Sequence, residues 1–169
     1  MIDDCNKLRE LISHFTTAML VTHDGISGMR ARPMALVEVE DCCILWFISS
    51  KESSKTEEIK RDDRVSVICQ KDQSTYLSIA GSARLVESRA QIESLWQEAF
   101  KIWFPRGKND PNLILIRVEP IQAEYWDNSG INKVKYLLRA AEAYVTGTAM
   151  PTFVGSQHGA IGLSSAWFH

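Results

Sequence analysis

Ser49, Ser50, Ser53, Ser54 and Lys55 fall within seven residues, in the stretch FISSKESSK at 47–55. Hydroxyls and an ammonium at this density suit an anion. A phosphate monoester carries about −1.5 to −2 charges and three acceptor oxygens, and it is bound by Arg, Lys, Ser and Thr side chains and by free N–H groups at a helix start. Two more cations, Arg30 and Arg32, stand on a strand-like run upstream. If that run pairs with the next one around the turn Glu40-Asp41, Arg32 comes toward Ser49 and Lys55. A plainer reading competes at this point: a serine-rich loop that caps a helix on a solvated face.

The elements that must position these groups can be read from periodicity. Cys5, Leu8, Leu11, Ile12 and Phe15 recur at helical spacing over 3–15. Strands are expected at 16–22, 29–39, 43–49, 65–71, 75–86, 113–118 and 122–127. Pro33 marks the second as an edge or bulged strand, and Gly81 marks a bulge in the fifth. Pro120 separates the last two. Helices are expected at 54–61, at 89–101 behind a Ser88 cap, and at 133–145. Tight turns rather than regular βαβ units join the strands, so the fold class is mainly β with peripheral helices (α+β), built on an antiparallel barrel. One domain over 1–147 is expected, followed by a tail, 148–169, with no assignable structure.

Composition narrows the partners. With 169 residues, the chain is long enough to bury a substantial core. Hydrophobic residues make up 45% and charged residues 24%, ordinary for a globular protein, and no apolar run reaches membrane-spanning length. The N-terminus is polar and acidic, unlike a secretory signal, so a cytoplasmic location is expected. A net charge of −2, from 19 basic and 21 acidic residues, argues against nucleic acid as a partner. Cys5, Cys42, Cys43 and Cys69 form no CxxC pair and read as thiols in a reducing compartment. The four histidines lack metal-ligand spacing, and no zinc site is expected.

Five segments in order, ARPM, LWFISSKESSK, YLSIAGSARLVES, LWQEAFKIWFPRGKNDP and AEYWD, resemble the general stress protein 26 family across about residues 5–146. These are FMN-binding split-barrel proteins related to pyridoxamine 5′-phosphate oxidase. The resemblance implies FMN as the cofactor, a split barrel of the FMN-binding type and a homodimer with its flavin sites at the interface. Arg32 resembles the oxidase arginine that contacts the FMN phosphate, and FISSKESSK lies over the oxidase stretch FYTN-x-x-SRK without a gap. That alignment implies phosphate contacts for Ser53 and Lys55, a retained hydroxyl at Ser49, and mainly backbone contacts to the flavin ring from Phe47 and Ile48. Ser54 stands where the oxidases carry an arginine, a charge for which Arg30 is the available substitute. Trp126 resembles the tryptophan that an oxidase subunit gives to its partner's flavin. Trp103 and Phe104, from the WFP segment, are candidates for a wall of the flavin or substrate pocket, or for dimer packing. The oxidase motif that grips pyridoxal phosphate is missing, since Arg139 stands there without a histidine. True oxidase activity on that substrate is not expected. The implied function is a flavin-dependent oxidoreductase linked to stress response, with NAD(P)H as a candidate donor and no catalytic acid or base identified. The alternative is a non-catalytic sensor or store binding flavin, haem or a deazaflavin.

Overall fold

The computed structural model describes residues 2–25, 28–40, 43–71, 75–127, 143, 145–147 and 158–163. The helix expected at 133–145, with Arg139, falls almost wholly outside them, as do Cys42 and His169. The described chain forms α1 (Ile2–Ile12), β1 (Thr17–His23), β2 (Met29–Ala35), β3 (Glu38–Val39), β4 (Leu45–Ser50), α2 (Ser54–Arg61), β5 (Arg64–Lys71), β6 (Thr75–Val86), α3 (Arg89–Leu95), β7 (Leu113–Asp127) and β8 (His158–Gly162). All strands join one antiparallel sheet in the order β2-β1-β5-β6-β7-β4-β3, with β8 pairing on β7. The fold is therefore mainly β with helices at its rim, as the strand pattern implied. Among the described residues no helix is long and apolar enough to cross a membrane.

Alternation along the strands makes one face of the curled sheet the core. Leu20 on β1, Val67 on β5, Leu77 and Ile79 on β6 and Ile116 on β7 all turn into a single buried cluster. Helix α1 contributes Leu8, Leu11 and Ile12 to it, residues spaced to share one face. A second, smaller cluster joins Trp46 to Ile92 and Leu95 of α3. It seats α3 against β4 and β7.

Three expectations change in detail. The run 29–39 is two strands, because Leu36 and Val37 interrupt it. Of these two only β3 pairs with β4, through Glu38 with Trp46 and Val39 with Leu45, whereas β2 pairs with β1. Arg32 therefore does not reach the clasp through a hairpin with β4. Pro33 is accommodated because β2 is an edge strand. The helix expected at 89–101 breaks after Leu95, where Trp96 adopts an extended backbone; a 3₁₀ turn follows over Glu98–Ile102. Trp96 and Phe100 then meet edge to face at 5.7 Å instead of sharing a helical stripe.

The two strands expected around Pro120 are one, β7, with 15 residues. Pro120 lacks an N–H for the ladder, and the register shifts where Ala80 and Gly81 of β6 meet Gln122 and Pro120. Ile121 is the extra residue of this bulge. Gly81 allows the close approach, since a Cβ there would collide with the Glu119 carbonyl oxygen. We expect Gly81→Ala to lower the unfolding free energy by about 1–3 kcal/mol, measured by urea denaturation.

Candidate functional site

The end of the barrel beside α2 holds an inward-facing polar cluster. Arg32 pairs with Leu20 across β1 and β2, and Leu20 is a core residue, so the arginine enters the barrel from its open end. There it meets Glu58, which α2 presents from its buried side. Arg32 Nη2 donates to Glu58 Oε2 at 2.6 Å. Thr22 Oγ1 donates to the same carboxylate oxygen at 2.5 Å and also accepts from Arg32 Nη1. Arg30 adds a longer ion pair to Glu58, at 3.6 Å, and one to Asp24, at 3.4 Å. Glu58 and Thr22 are 4% and 1% exposed, so this carboxylate is a buried charge that the cluster must satisfy. Burial alone would raise its pKa. The Thr22 hydroxyl and the two guanidinium groups outweigh that and hold it below the ordinary carboxylate value.

One turn earlier on α2, Lys55 is half-buried. Burial first, then the positive charge of Arg32, push its pKa below the usual lysine value, with Glu58 opposing. Three cations (Arg30, Arg32, Lys55) against two buried carboxylates (Glu58, Asp24) leave a net positive end.

The loop entering α2 settles how its serines are used. Ser53 is the residue before the helix, yet its hydroxyl does not cap it. It meets Ser49 Oγ at 3.1 Å and Thr56 Oγ1 at 2.9 Å, and Thr56 Oγ1 donates to the Ser50 carbonyl at 2.8 Å. Among the described residues the amides of Ser54 and Lys55 have no protein acceptor. The loop is thus a hydroxyl chain beside open N–H donors, not a capped turn.

Beside it runs a cleft of about 490 Å³. Thr17, Ser49, Ser50 and Lys55 supply its polar lining, Ile48 and Pro33 are part of its apolar lining, and Phe100, Trp103 and Phe104 form its aromatic side. Trp103 is 63% exposed, and its ring lies tilted to that of Phe100, centroids 6.4 Å apart.

The structure thus groups Ile48, Ser49, Ser50 and Lys55 around one cleft, with Ser53 joined to it through the Ser49 hydroxyl and Arg32 near enough to Lys55 for its charge to be felt there. Ser54 is exposed at the helix start. Phe47 is fully buried in the main core, leaving its backbone for any ligand contact. Trp126 does not line this cleft: it pairs with Tyr76 at the opposite end of β7 from Leu113 and stacks on His158, centroids 5.1 Å apart.

The sequence model of proteins described as "Pyridoxamine 5′-phosphate oxidase like" matches residues 3–151. The chain belongs to this family. Within it, general stress protein 26 of Bacillus subtilis (strain 168) is 25% identical over 118 residues, which span 68% of this chain and 81% of that protein. The general stress FMN/FAD binding protein of Xanthomonas citri is 28% identical in its solved structure, with a TM-score of 0.65 over 77% of this chain and 92% of that one. A putative general stress protein 26 from Jannaschia sp. CCS1 shares the fold over 96% of this chain and all of its own, at a TM-score of 0.69 and 19% identity. The family's split barrel is therefore the architecture of this chain.

Sequence reasoning passed over Glu58, Thr22 and Phe100. Glu58 had a signal: an acidic residue three places after Lys55 on an expected helix, a spacing that puts the two on one face. Thr22 had none, since a strand threonine is ordinary. We expect Glu58→Ala to destabilise the fold by about 2–4 kcal/mol, because it strands Arg32 in the barrel mouth. The sign with pH follows from the lowered pKa of Glu58. Its stabilisation is complete above the ordinary value of 4.5 and is lost as pH falls through the lower folded-state value. The wild type should lose stability more steeply in acid than the variant, in urea melts run at several pH values.

Proposed function

We propose that this protein is an FMN-binding flavoprotein and a flavin-dependent oxidoreductase of the stress-response branch of its family. The observation that carries the reading is the meeting of Lys55, Ser49, Ser53 and the open Ser54 and Lys55 amides at the polar end of a flat, aromatic-sided cleft. A phosphate monoester needs several donors and at least one cation, and this end supplies both. The cleft volume lies within the usual range for small-molecule sites. Lys55 and the serine hydroxyls would hold the phosphate, with Arg32 set behind them by Glu58. Ile48 and Pro33 offer an apolar floor, and Trp103 and Phe104 a side wall that excludes water. The name of the Xanthomonas relative, which joins FMN and FAD with general stress, supports the same assignment.

FMN, when bound, supplies reversible hydride acceptance, for which NAD(P)H is the donor to test first. The chain's own part is to anchor, orient and shield. Among the residues lining the cleft Lys55 is the one ordinary proton carrier; burial and Arg32 disfavour its charge, and a bound phosphate would favour it.

Flavin binding is tested by titrating FMN into the purified protein and following absorbance and fluorescence quenching. Lys55→Met should weaken FMN binding by about 1.5–3 kcal/mol while leaving fold stability unchanged or slightly higher, because the folded state already disfavours the lysine charge. In the wild type the Kd should climb on the alkaline side at a lower pH than an unperturbed lysine would give. Equal affinity in wild type and Lys55→Met would remove the phosphate assignment.

The reading includes a homodimer. The outer face of β2, β1, β5 and β6 lacks charge where the register aligns Pro33, Met19, Ile68 and Ser78, and next to them Ala31, Val21, Ser66 and Ala80. Met19 is 37% exposed and Ile68 42%. An open antiparallel face is normally polar, so an uncharged one calls for a cover. Pro33 belongs to both this face and the cleft, so a second copy seated here would close the cleft's open side. Ile68→Glu should shift the protein to a monomer in analytical ultracentrifugation and weaken FMN binding with it.

A further inference from the structure

Two cysteines outside the cleft lining are pressed together. Cys5 Sγ lies 2.7 Å from Cys43 Sγ, and Cys43 Sγ lies 2.8 Å from the Cys5 carbonyl oxygen. A disulfide bond is about 2.05 Å long, so the two sulfurs need only a small further approach. Cys5 sits on α1 and is half-buried, whereas Cys43 is fully buried two residues before β4. The turn fixes Cys43 in place: its amide donates to the Glu40 carbonyl at 2.9 Å, and the Glu40 amide donates to the Ile44 carbonyl at 3.0 Å. Cys43 is also the one described non-glycine residue at positive φ, 61°. That sparsely populated conformation directs its side chain at α1. Cys69 is an internal contrast: it is buried in the sheet, and burial pushes its thiol up to about 12, which makes it a poor nucleophile.

We propose that Cys5 and Cys43 form a reversible disulfide when the protein meets a hydroperoxide, stapling α1 to the turn that precedes β4. Cys5, the more accessible member, reacts first. Its sulfur takes one oxygen from hydrogen peroxide, the O–O bond breaks, and one water leaves with the thiol proton retained in the products. Cys43 sulfur then attacks the Cys5 sulfenic acid. The S–S bond forms, and the hydroxyl departs with the Cys43 proton as a second water. The two thiols together lose two electrons, which the peroxide gains. Burial of Cys43 beside Cys5 favours this internal capture over attack by an outside thiol. The closed loop runs from Cys5 to Cys43 and contains β1, β2 and β3, and a cross-link of that kind restricts the unfolded chain.

The experiment uses the full reduced chain, exposed to hydrogen peroxide in native buffer and quenched with catalase, with a separate denatured portion alkylated to count thiols. The expected product has lost two hydrogens by intact mass, keeps two of its four thiols, and yields a Cys5–Cys43 linked peptide. It regains the starting mass with dithiothreitol, and it melts at a higher temperature than the reduced form. A Cys42→Ser variant should behave identically, and Cys5→Ser should form no internal link. A link through Cys42 or Cys69, four thiols still reactive after exposure, or a melting temperature that does not rise would overturn the proposal. None of these readouts involves flavin, so the test is independent of the cofactor assignment.

Discussion

The site depends on a carboxylate that sits where an ionised group is hardest to keep. Glu58 is buried at the barrel mouth, and its charge survives there only because Arg32, Thr22 and Arg30 converge on it. Removing any one partner leaves a charge or a donor without company in a poorly hydrated place. That constraint fixes α2 against β1 and β2. The first turn of α2 carries Lys55 and the open amides, so the geometry of the proposed anion end follows from the Arg32–Glu58 ion pair. The pair also sets the site's charge. Arg32 arrives already partly neutralised, and the cation that faces the cleft with least compensation is Lys55.

This explains why Ser54, with no charge of its own, is compatible with an anion site. The missing arginine is a loss at the exposed helix start, where a solvated charge interacts weakly. Closer in, the hydroxyl chain from Ser49 through Ser53 to Thr56 is fixed by mutual bonds and by the Ser50 carbonyl. Donors held in this way would take up an anion with little further ordering.

Much of this was legible from local pattern. The ends of α2 and β6 follow the sequence closely, because short-range signals stand at them: Asp62 just after the helix, and the Ser88 cap of α3 just beyond the strand. The grouping of Ser49, Ser53 and Lys55 was readable for the same reason, since all lie on one short stretch. What failed was non-local. Nothing in the run 29–39 reveals that β2 pairs with β1 and only β3 with β4, because both pairings satisfy the same alternation. The Arg32–Glu58 pair joins residues 26 apart on different elements, so no spacing rule finds it. The break at Trp96 was hidden too. An unbroken helix satisfies the local periodicity, and the aromatic contact with Phe100 that accompanies the break depends on tertiary packing.

The bulge at Ile121 divides β7 by its neighbours. Before it, residues from Leu113 to Val118 lie against β4, the strand that carries the cleft hydroxyls. After it, residues from Gln122 to Trp126 lie against β8. The hand-over happens at the extra residue itself, whose carbonyl accepts the Leu163 amide at 2.9 Å. A ladder interrupted at that point does not transmit a slip from one side to the other. The bulge therefore insulates the two halves of the strand. Changes in the length or sequence of the C-terminal segment can be absorbed there, while the half that holds the cleft keeps its register.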